Sequence, residues 1–241
     1  MKKIIAKAEK ITVDVVIPVC NEEQLLEHTV KTLSKFLSAQ EDFVWRIVIA
    51  SNGSTDRTKE IGENLAQTDS RISFFHISKR GRGRALRKAF SESTAVVCVY
   101  TDVDLPVDIN VLPTLVKYAI KYTAIAMPNR LAPCVHARRP LHRILFSKIY
   151  NLLIKILFPE TGIKDAQVGM KAIHCSILEV FLKKVKNNNF FFDTELLLLA
   201  ERGGFPIIQI PADCYDIRHG KVNLILCILE EFLGLIRMRF R

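Results

Sequence analysis

The chain lacks several features that would each have settled its class. Its six cysteines, Cys20, Cys98, Cys134, Cys175, Cys214 and Cys227, include no C-x-x-C pair and lie far apart. That spacing speaks against a zinc site and against a disulfide framework. Several of these thiols stand in apolar runs, where cysteine behaves as a small hydrophobe, so a reducing compartment is expected. The N-terminus, MKKIIAKAEK, has no continuous apolar stretch of the kind a secretory signal carries. No apolar run reaches the roughly 18 residues of a membrane span. Residues 144–158 are broken by Lys148 and Lys155, and residues 222–236 by Glu230 and Glu231. These absences predict a cytoplasmic chain that touches a membrane peripherally without crossing it.

Acidic residues are also missing from one long window. No Asp or Glu occurs between Asp108 and Glu160, while Lys117, Lys121, Arg130, Arg138, Arg139, Arg143, Lys148 and Lys155 all fall there. The formal charge of the 241-residue chain is +10, and this window carries most of it. A basic block among apolar residues suits phosphates, an anionic membrane surface or nucleic acid. The single Trp, the five Tyr and the absence of an aromatic-plus-basic recognition string argue against nucleic acid. At 49% apolar and 25% charged residues, the composition is that of a globular protein with a substantial core.

What is present is an alternation of apolar runs and helix-like segments. Residues 13–19, 46–50, 72–77 and 95–101 read as buried strands, with helices predicted at 55–67, 84–93 and 111–122. Asn21 is placed to cap the first helix, with Glu22 and Glu23 in its first turn. Strand and helix in turn predict an α/β fold, a mostly parallel sheet flanked by helices, with ligands bound beyond the carboxyl ends of the strands. Polar clusters fall at those ends: Asn21-Glu22, Ser51-Asn52, Lys79–Arg84, and Asp102 with Asp104. Further on, residues 140–158 predict a long basic amphipathic helix, and residues 207–210 a strand. The pattern suggests one domain over residues 1–220 and a C-terminal amphipathic helix over 221–241, which either lies in a membrane interface or packs on the core with a basic end.

Two elements carry chemistry. Asp102-Val103-Asp104 follows a buried strand, and side chains two apart on extended backbone share a face. Such a pair suits a hard divalent cation, Mg²⁺ or Mn²⁺, that keeps positions open for phosphate oxygens; a self-capping turn is the plainer alternative. Lys79-Arg80-Gly81-Arg82-Gly83-Arg84 opens a helix, where backbone amides and cations would suit a pyrophosphate. It is neither a Walker A loop nor a G-x-G-x-x-G fingerprint.

Taken in order, Val15–Pro18 with Asn21–Glu23, Ser51–Asp56, Gly81–Ala85, Asp102–Leu105, Asp165–Ala172 and Phe191–Leu197 resemble family 2 glycosyltransferases of the GT-A fold. Within that family they are most similar to the polyprenyl-phosphate branch of glucosyl- and mannosyltransferases, over roughly residues 12 to 220. The resemblance implies that Pro18 and Glu22 contact the nucleoside and that Asp102 and Asp104 hold a metal on the diphosphate. Arg130 stands where the branch has Gly-Ser-Arg and is expected at the catalytic centre with Arg143, and the resemblance implies that Arg143, Ser147 and Asn151, at i, i+4 and i+8, share a face that binds phosphates near the acceptor. Asp165, Gln167 and Lys171 would belong to an acceptor-side loop, and Asp193 and Glu195 to a segment closing over the sugar. Asp165 is the carboxylate expected to orient acceptor or donor sugar; Asp193 is the alternative, or else a helix N-cap. Ser51 stands where the family commonly has an acid facing the base.

The function implied is inverting transfer of a hexose, glucose from UDP-glucose first, from a UDP- or GDP-sugar to a polyprenyl phosphate. The rivals are a family member with a sugar-hydroxyl acceptor and a basic nucleic-acid-binding module.

Overall fold

A computed structural model describes residues 10–216 and 224–240. The elements run β1 (Thr12–Val19), α1 (Leu26–Ser38), β2 (Val44–Asn52), α2 (Thr58–Thr68), β3 (Ile72–Ile77), α3 (Arg82–Glu92) and β4 (Val97–Thr101). Then come α4 (Leu112–Tyr122), β5 (Ile125–Asn129), β6 (Ala137–Arg138), α5 (Leu141–Leu157), β7 (Met170–His174) and α6 (Cys175–Phe181). The remainder is α7 (Phe192–Arg202), β8 (Ile207–Pro211), β9 (Cys214–Tyr215) and α8 (Leu224–Arg239). Seven strands form one sheet in the order β3-β2-β1-β4-β7-β5-β8, and β6 pairs with β9 separately.

The first four strands are parallel, because each returns through a helix that covers a face of the sheet. Their β-branched and apolar side chains are buried on both sides: Val15, Val16, Ile17, Ile49 and Val99 are all fully enclosed. One charge interrupts β1. Asp14, buried in the strand, accepts from Arg46 Nε at 2.8 Å, Arg46 Nη2 at 2.5 Å and the Ser93 hydroxyl at 2.6 Å, so its burial is compensated.

Strand β7 is antiparallel to both β4 and β5. This reversal sets the second half of the site. With Thr101 opposite Met170, the chain entering β7 lies beside the end of β4, and Asp102 N–H donates to Gly169 C=O at 3.1 Å. The loop of residues 163–169 is therefore delivered to the same edge as the parallel strand ends. Strand β5, running against β7, brings Asn129 and Arg130 there as well.

Two expected caps are corrected. Asn21 does not cap α1, which begins at Leu26 with Leu25 in the capping position. Its side-chain oxygen accepts from Thr55 N–H at 2.7 Å, and Glu22 N–H donates to Thr58 Oγ1 at 2.7 Å. The polar residues after β1 thus stitch two loops together instead of starting a helix. Nor does Asp193 cap α7: Phe191 holds that position and Asp193 lies inside the first turn, drawn towards Arg82.

Of the C-terminal helix expected over 221–241, residues 221–223 and 241 lie outside the described residues. Helix α8 packs against α5 and α7 through buried Leu235 and Met238, while Leu229, Leu233 and Phe240 remain exposed. Closest approach is at Gly234, where an added Cβ would stand 2.4 Å from the buried Phe191 ring. A Gly→Ala change inside a helix ordinarily stabilises by about 1 kcal/mol. Gly234→Ala is instead expected to destabilise by about 1–3 kcal/mol through overpacking. Urea denaturation checks this, and a raised midpoint would show that α8 does not press on Phe191.

Candidate active site

The strand ends open onto one crevice of about 1080 Å³. Of the residues expected at a site, Pro18, Glu22, Asn52, Gly81, Arg82, Asp102, Asp104, Arg130, Arg143 and Asp193 line it. Ser51, Gly83 and Asp165 do not, and each has a structural reason.

Alternation along β2 turns Ser51 away from the crevice that its neighbour Asn52 faces. Fully enclosed, Ser51 Oγ lies 3.0 Å from Ser54 Oγ and 2.9 Å from His76 Nδ1, joining β2 to β3 and the following turn. Asn52 spans the gap between loops: its amide donates to Val19 C=O at 2.9 Å and its oxygen accepts from Gly81 N–H at 3.0 Å. Gly81 sits at φ 145°, and a Cβ there would meet Asn188 O at 2.5 Å, so glycine is required. Gly83 faces the other way. Its missing Cβ lets α3 abut α7, 2.6 Å from Phe192 Cβ. The amide of Arg84 is already committed to Asn188 C=O at 2.9 Å, leaving fewer helix-end donors for an anion than the glycine pattern suggested.

Arg82 bridges two carboxylates, donating to Asp102 Oδ1 at 2.9 Å and to Asp193 Oδ2 at 2.5 Å. Burial works against its charge, but Asp193 and Asp102 outweigh that and hold the guanidinium pKa well above its usual value. Beneath it, Lys171 Nζ donates to Tyr100 Oη at 2.8 Å and Val168 C=O at 2.9 Å, and lies 3.9 Å from Asp193 Oδ2. Burial pulls the Lys171 pKa down to about 8, against the pull of Asp193. Asp193 Oδ1 is buried without a hydrogen-bond partner.

Asp102 and Asp104, the pair expected to hold a divalent cation, both line the crevice. Asp102 gives one oxygen to Arg82, and its carboxylate occupies space that only a glycine leaves: a Cβ on Gly169 would stand 1.9 Å from Asp102 Oδ2. No cluster of three or more His, Cys, Asp or Glu able to hold a metal exists among the described residues. A cation held by this pair would therefore take its other ligands from substrate oxygens and water.

At the other end are three arginines. Arg130 clasps Asp165 through Nε and Nη2, both at 2.8 Å, and its backbone N–H adds a third bond at 3.2 Å. Burial alone would raise the Asp165 pKa, but the hydrogen bonds and charge of Arg130 outweigh it and leave it below the usual carboxylate range. Asp165 is fully enclosed and so cannot orient a substrate, as the sequence suggested; it fixes Arg130, which does reach the crevice. Arg143 pairs with Asp216, and Arg139 Nη2 donates to Ser147 Oγ at 2.9 Å. Arg139 Nε is buried without a hydrogen bond, and burial together with neighbouring Arg130 lowers its pKa. An arriving anion would satisfy that donor and offset the crowding of positive charge. Asn151 turns from the crevice to accept from Ala166 N–H at 3.1 Å, anchoring the 163–169 loop.

Comparison with known proteins gives this arrangement its family. The family model described as Glycosyl transferase family 2 matches residues 14–182. The chain belongs to glycosyltransferase family 2. Glycosyltransferase AglD of Haloferax volcanii is 36% identical over 93% of this chain, which spans only 36% of that relative's length. The dolichyl-phosphate beta-glucosyltransferase of Saccharomyces cerevisiae is 25% identical, covering 96% of this chain and 76% of that one. Among solved structures, glucosyl-3-phosphoglycerate synthase from Mycobacterium tuberculosis in complex with UDP superposes with a TM-score of 0.72. At 19% identity, over 95% of this chain and 80% of that one, this shows the shared GT-A fold.

For this family 2 glycosyltransferase, the matched segment ends before α7 and α8, which nonetheless supply Asp193, Glu231 and Phe232 to the crevice. Sequence reasoning missed Arg139, Asp216 and Glu231 as site residues. Arg139 was visible only as one cation of the acid-free window; Asp216 and Glu231 carried no local signal. The buried pair offers a direct check. Asp165→Ala leaves Arg130 uncompensated and is expected to cost about 3–5 kcal/mol, measured by urea unfolding at neutral pH. Because the folded pKa of Asp165 lies below its unfolded value, the wild type's advantage should be lost as pH falls through the folded value.

Proposed function

We propose that the chain transfers a hexose, glucose from UDP-glucose first, from a sugar nucleotide to a polyprenyl phosphate with inversion at the anomeric carbon. The observation that carries this reading is one crevice holding a carboxylate pair, Asp102 and Asp104, together with Arg130, Arg139 and Arg143. Two anionic substrates need such a site. Relatives named for dolichyl phosphate, and solved neighbours holding Mn²⁺ with UDP or UDP-glucose, support it.

In this reading Pro18, Glu22 and Asn52 bound the nucleoside end, and Arg82 lies beside the diphosphate. A Mg²⁺ or Mn²⁺ ion on Asp102 and Asp104 would neutralise charge on the leaving diphosphate. Arg139 and Arg143 hold the acceptor phosphate, with Arg130 kept in place by Asp165. A bond forms between an acceptor phosphate oxygen and the anomeric carbon as the bond to the diphosphate oxygen breaks on the opposite face. The acceptor oxygen is already ionised near neutral pH, so no strong base is required. Asp193, committed to Arg82 and near Lys171, is poorly placed as the base that a sugar-hydroxyl acceptor would need.

The acceptor's lipid tail also has a surface to meet. On α5, Leu141, Leu145, Leu152 and Ile156 are exposed at helical spacing, as are Leu229, Phe232 and Leu233 of α8 and Phe240 just after it. Exposed Lys148, Arg237 and Arg239 flank them, as expected of helices lying on an anionic bilayer. No described helix is long and apolar enough to cross a membrane. We place the chain peripherally on the cytoplasmic face.

Two experiments test this. Sugar nucleotides carrying UDP, GDP or dTDP are incubated with polyprenyl phosphate and Mg²⁺ or Mn²⁺. Transfer is expected, with Asp104→Ala reducing it by about 100-fold or more without unfolding the chain. Arg143→Ala should raise KM for the polyprenyl phosphate by about 10- to 100-fold while leaving the donor KM nearly unchanged. The reverse pattern would favour a different acceptor. Separately, Leu152→Asp with Ile156→Asp should weaken sedimentation with phosphatidylserine-containing vesicles by about tenfold or more. Unchanged binding would remove α5 from the bilayer contact.

A further inference from the structure

Glu231 stands on α8, outside the family-matched segment, yet it is 5% exposed and lines the crevice. Both its oxygens accept from a single amide, Gln167 Nε2, at 2.8 and 2.7 Å. No Lys or Arg among the described residues forms an ion pair with it. Burial raises its pKa to about 7, and nearby Asp193 adds to the shift. Asp193, on α7, is itself 8% exposed and leaves Oδ1 without a partner. Two helices therefore offer carboxyl oxygens to one volume, and one of those oxygens is an orphaned acceptor.

The chemistry narrows what can answer that acceptor. A phosphate is excluded beside two carboxyl groups, since like charges at close range in a poorly solvated site repel strongly. A protein cation is already supplied to Asp193 by Arg82, with Lys171 at 3.9 Å. A neutral polyhydroxyl group fits. Its hydroxyls donate to both carboxyl groups and accept in return from the Gln167 amide. Asp193 is linked through Arg82 to Asp102, so this volume adjoins the place where the diphosphate is held.

We propose that Glu231, with Asp193, forms the subsite accepting hydrogen bonds from hydroxyls of the transferred hexose, making Glu231 a determinant of donor-sugar choice. This rests on the reading of the chain as a hexosyltransferase. It differs from that reading in assigning sugar discrimination to the C-terminal helix, a segment beyond the matched family region. A site built around a substrate hydroxyl discriminates strongly, because its absence strands a buried acceptor.

The test is calorimetric binding of UDP, UDP-glucose and UDP-glucose analogues each lacking one hydroxyl, to the full chain with Mn²⁺. The wild type should bind UDP-glucose more tightly than UDP, and one deoxy analogue should lose about tenfold or more. Glu231→Gln should keep UDP affinity, lose a similar factor for UDP-glucose, and cease to distinguish that analogue. Glu231→Asp, which keeps the charge but withdraws it, should shift the same discrimination and serves if the Gln variant does not fold. If Glu231→Gln weakens UDP and every UDP-sugar equally, Glu231 merely holds the loop and the proposal falls. If sugar nucleotides bind but Glu231→Gln changes nothing, the proposal falls while the hexosyltransferase reading stands. If the wild type binds no sugar nucleotide, that reading fails and takes this one with it.

Discussion

The guanidinium of Arg82 joins the parts of the molecule that must meet for a site to exist. It rises from the start of α3 and grips Asp102 at the end of β4 and Asp193 in the first turn of α7. Without it, the Asp102 and Asp193 carboxylates would line the same crevice with no shared arginine between them. With it, their mutual repulsion becomes attraction to a common cation, and three elements far apart in the chain are held in fixed relation. Tyr100 below, with the Arg82 guanidinium 4.9 Å from its ring centroid, and Lys171 beside it complete a buried polar group. Asp193 keeps one oxygen unanswered there.

The same device recurs at the other end of the crevice with the signs exchanged. Asp165 fixes Arg130, and Asp216 pairs with Arg143 and lies near Arg139. Here the carboxylates are the buried supports and the cations are presented. That distinction decides which residues touch substrate. An acid in a family-like string reads equally well as a chemical group or as a brace; enclosure by Arg130 makes Asp165 a brace.

Local patterns carried much of this into view. The apolar runs located the parallel strands because a strand buried on both faces must be continuously hydrophobic, and polar residues accumulate where such a strand emerges. Asp102, Gly81 and Arg82 were legible for that reason. Caps were less so. Asn21 and Asp193 have the right side chains for helix starts, but each found a stronger partner distant in sequence, Thr55 N–H and Arg82 respectively. The inward turn of Ser51 depended on strand alternation, which a run apolar on both faces conceals.

The sequence by itself determined the alternation of strands and helices, the carboxylate pair, the glycine-arginine turn and the concentration of positive charge. These are local properties of backbone preference, hydrophobic period and side-chain type. Only the tertiary structure decided that β7 runs antiparallel and brings the 163–169 loop beside Asp102. It alone placed Glu231 of α8 against Gln167, and it alone divided arginines that face the crevice from carboxylates that brace them. Those outcomes depend on contacts between residues dozens to more than a hundred positions apart. Their energies come from burial and pairing in a shared interior, and no stretch of the chain contains both partners.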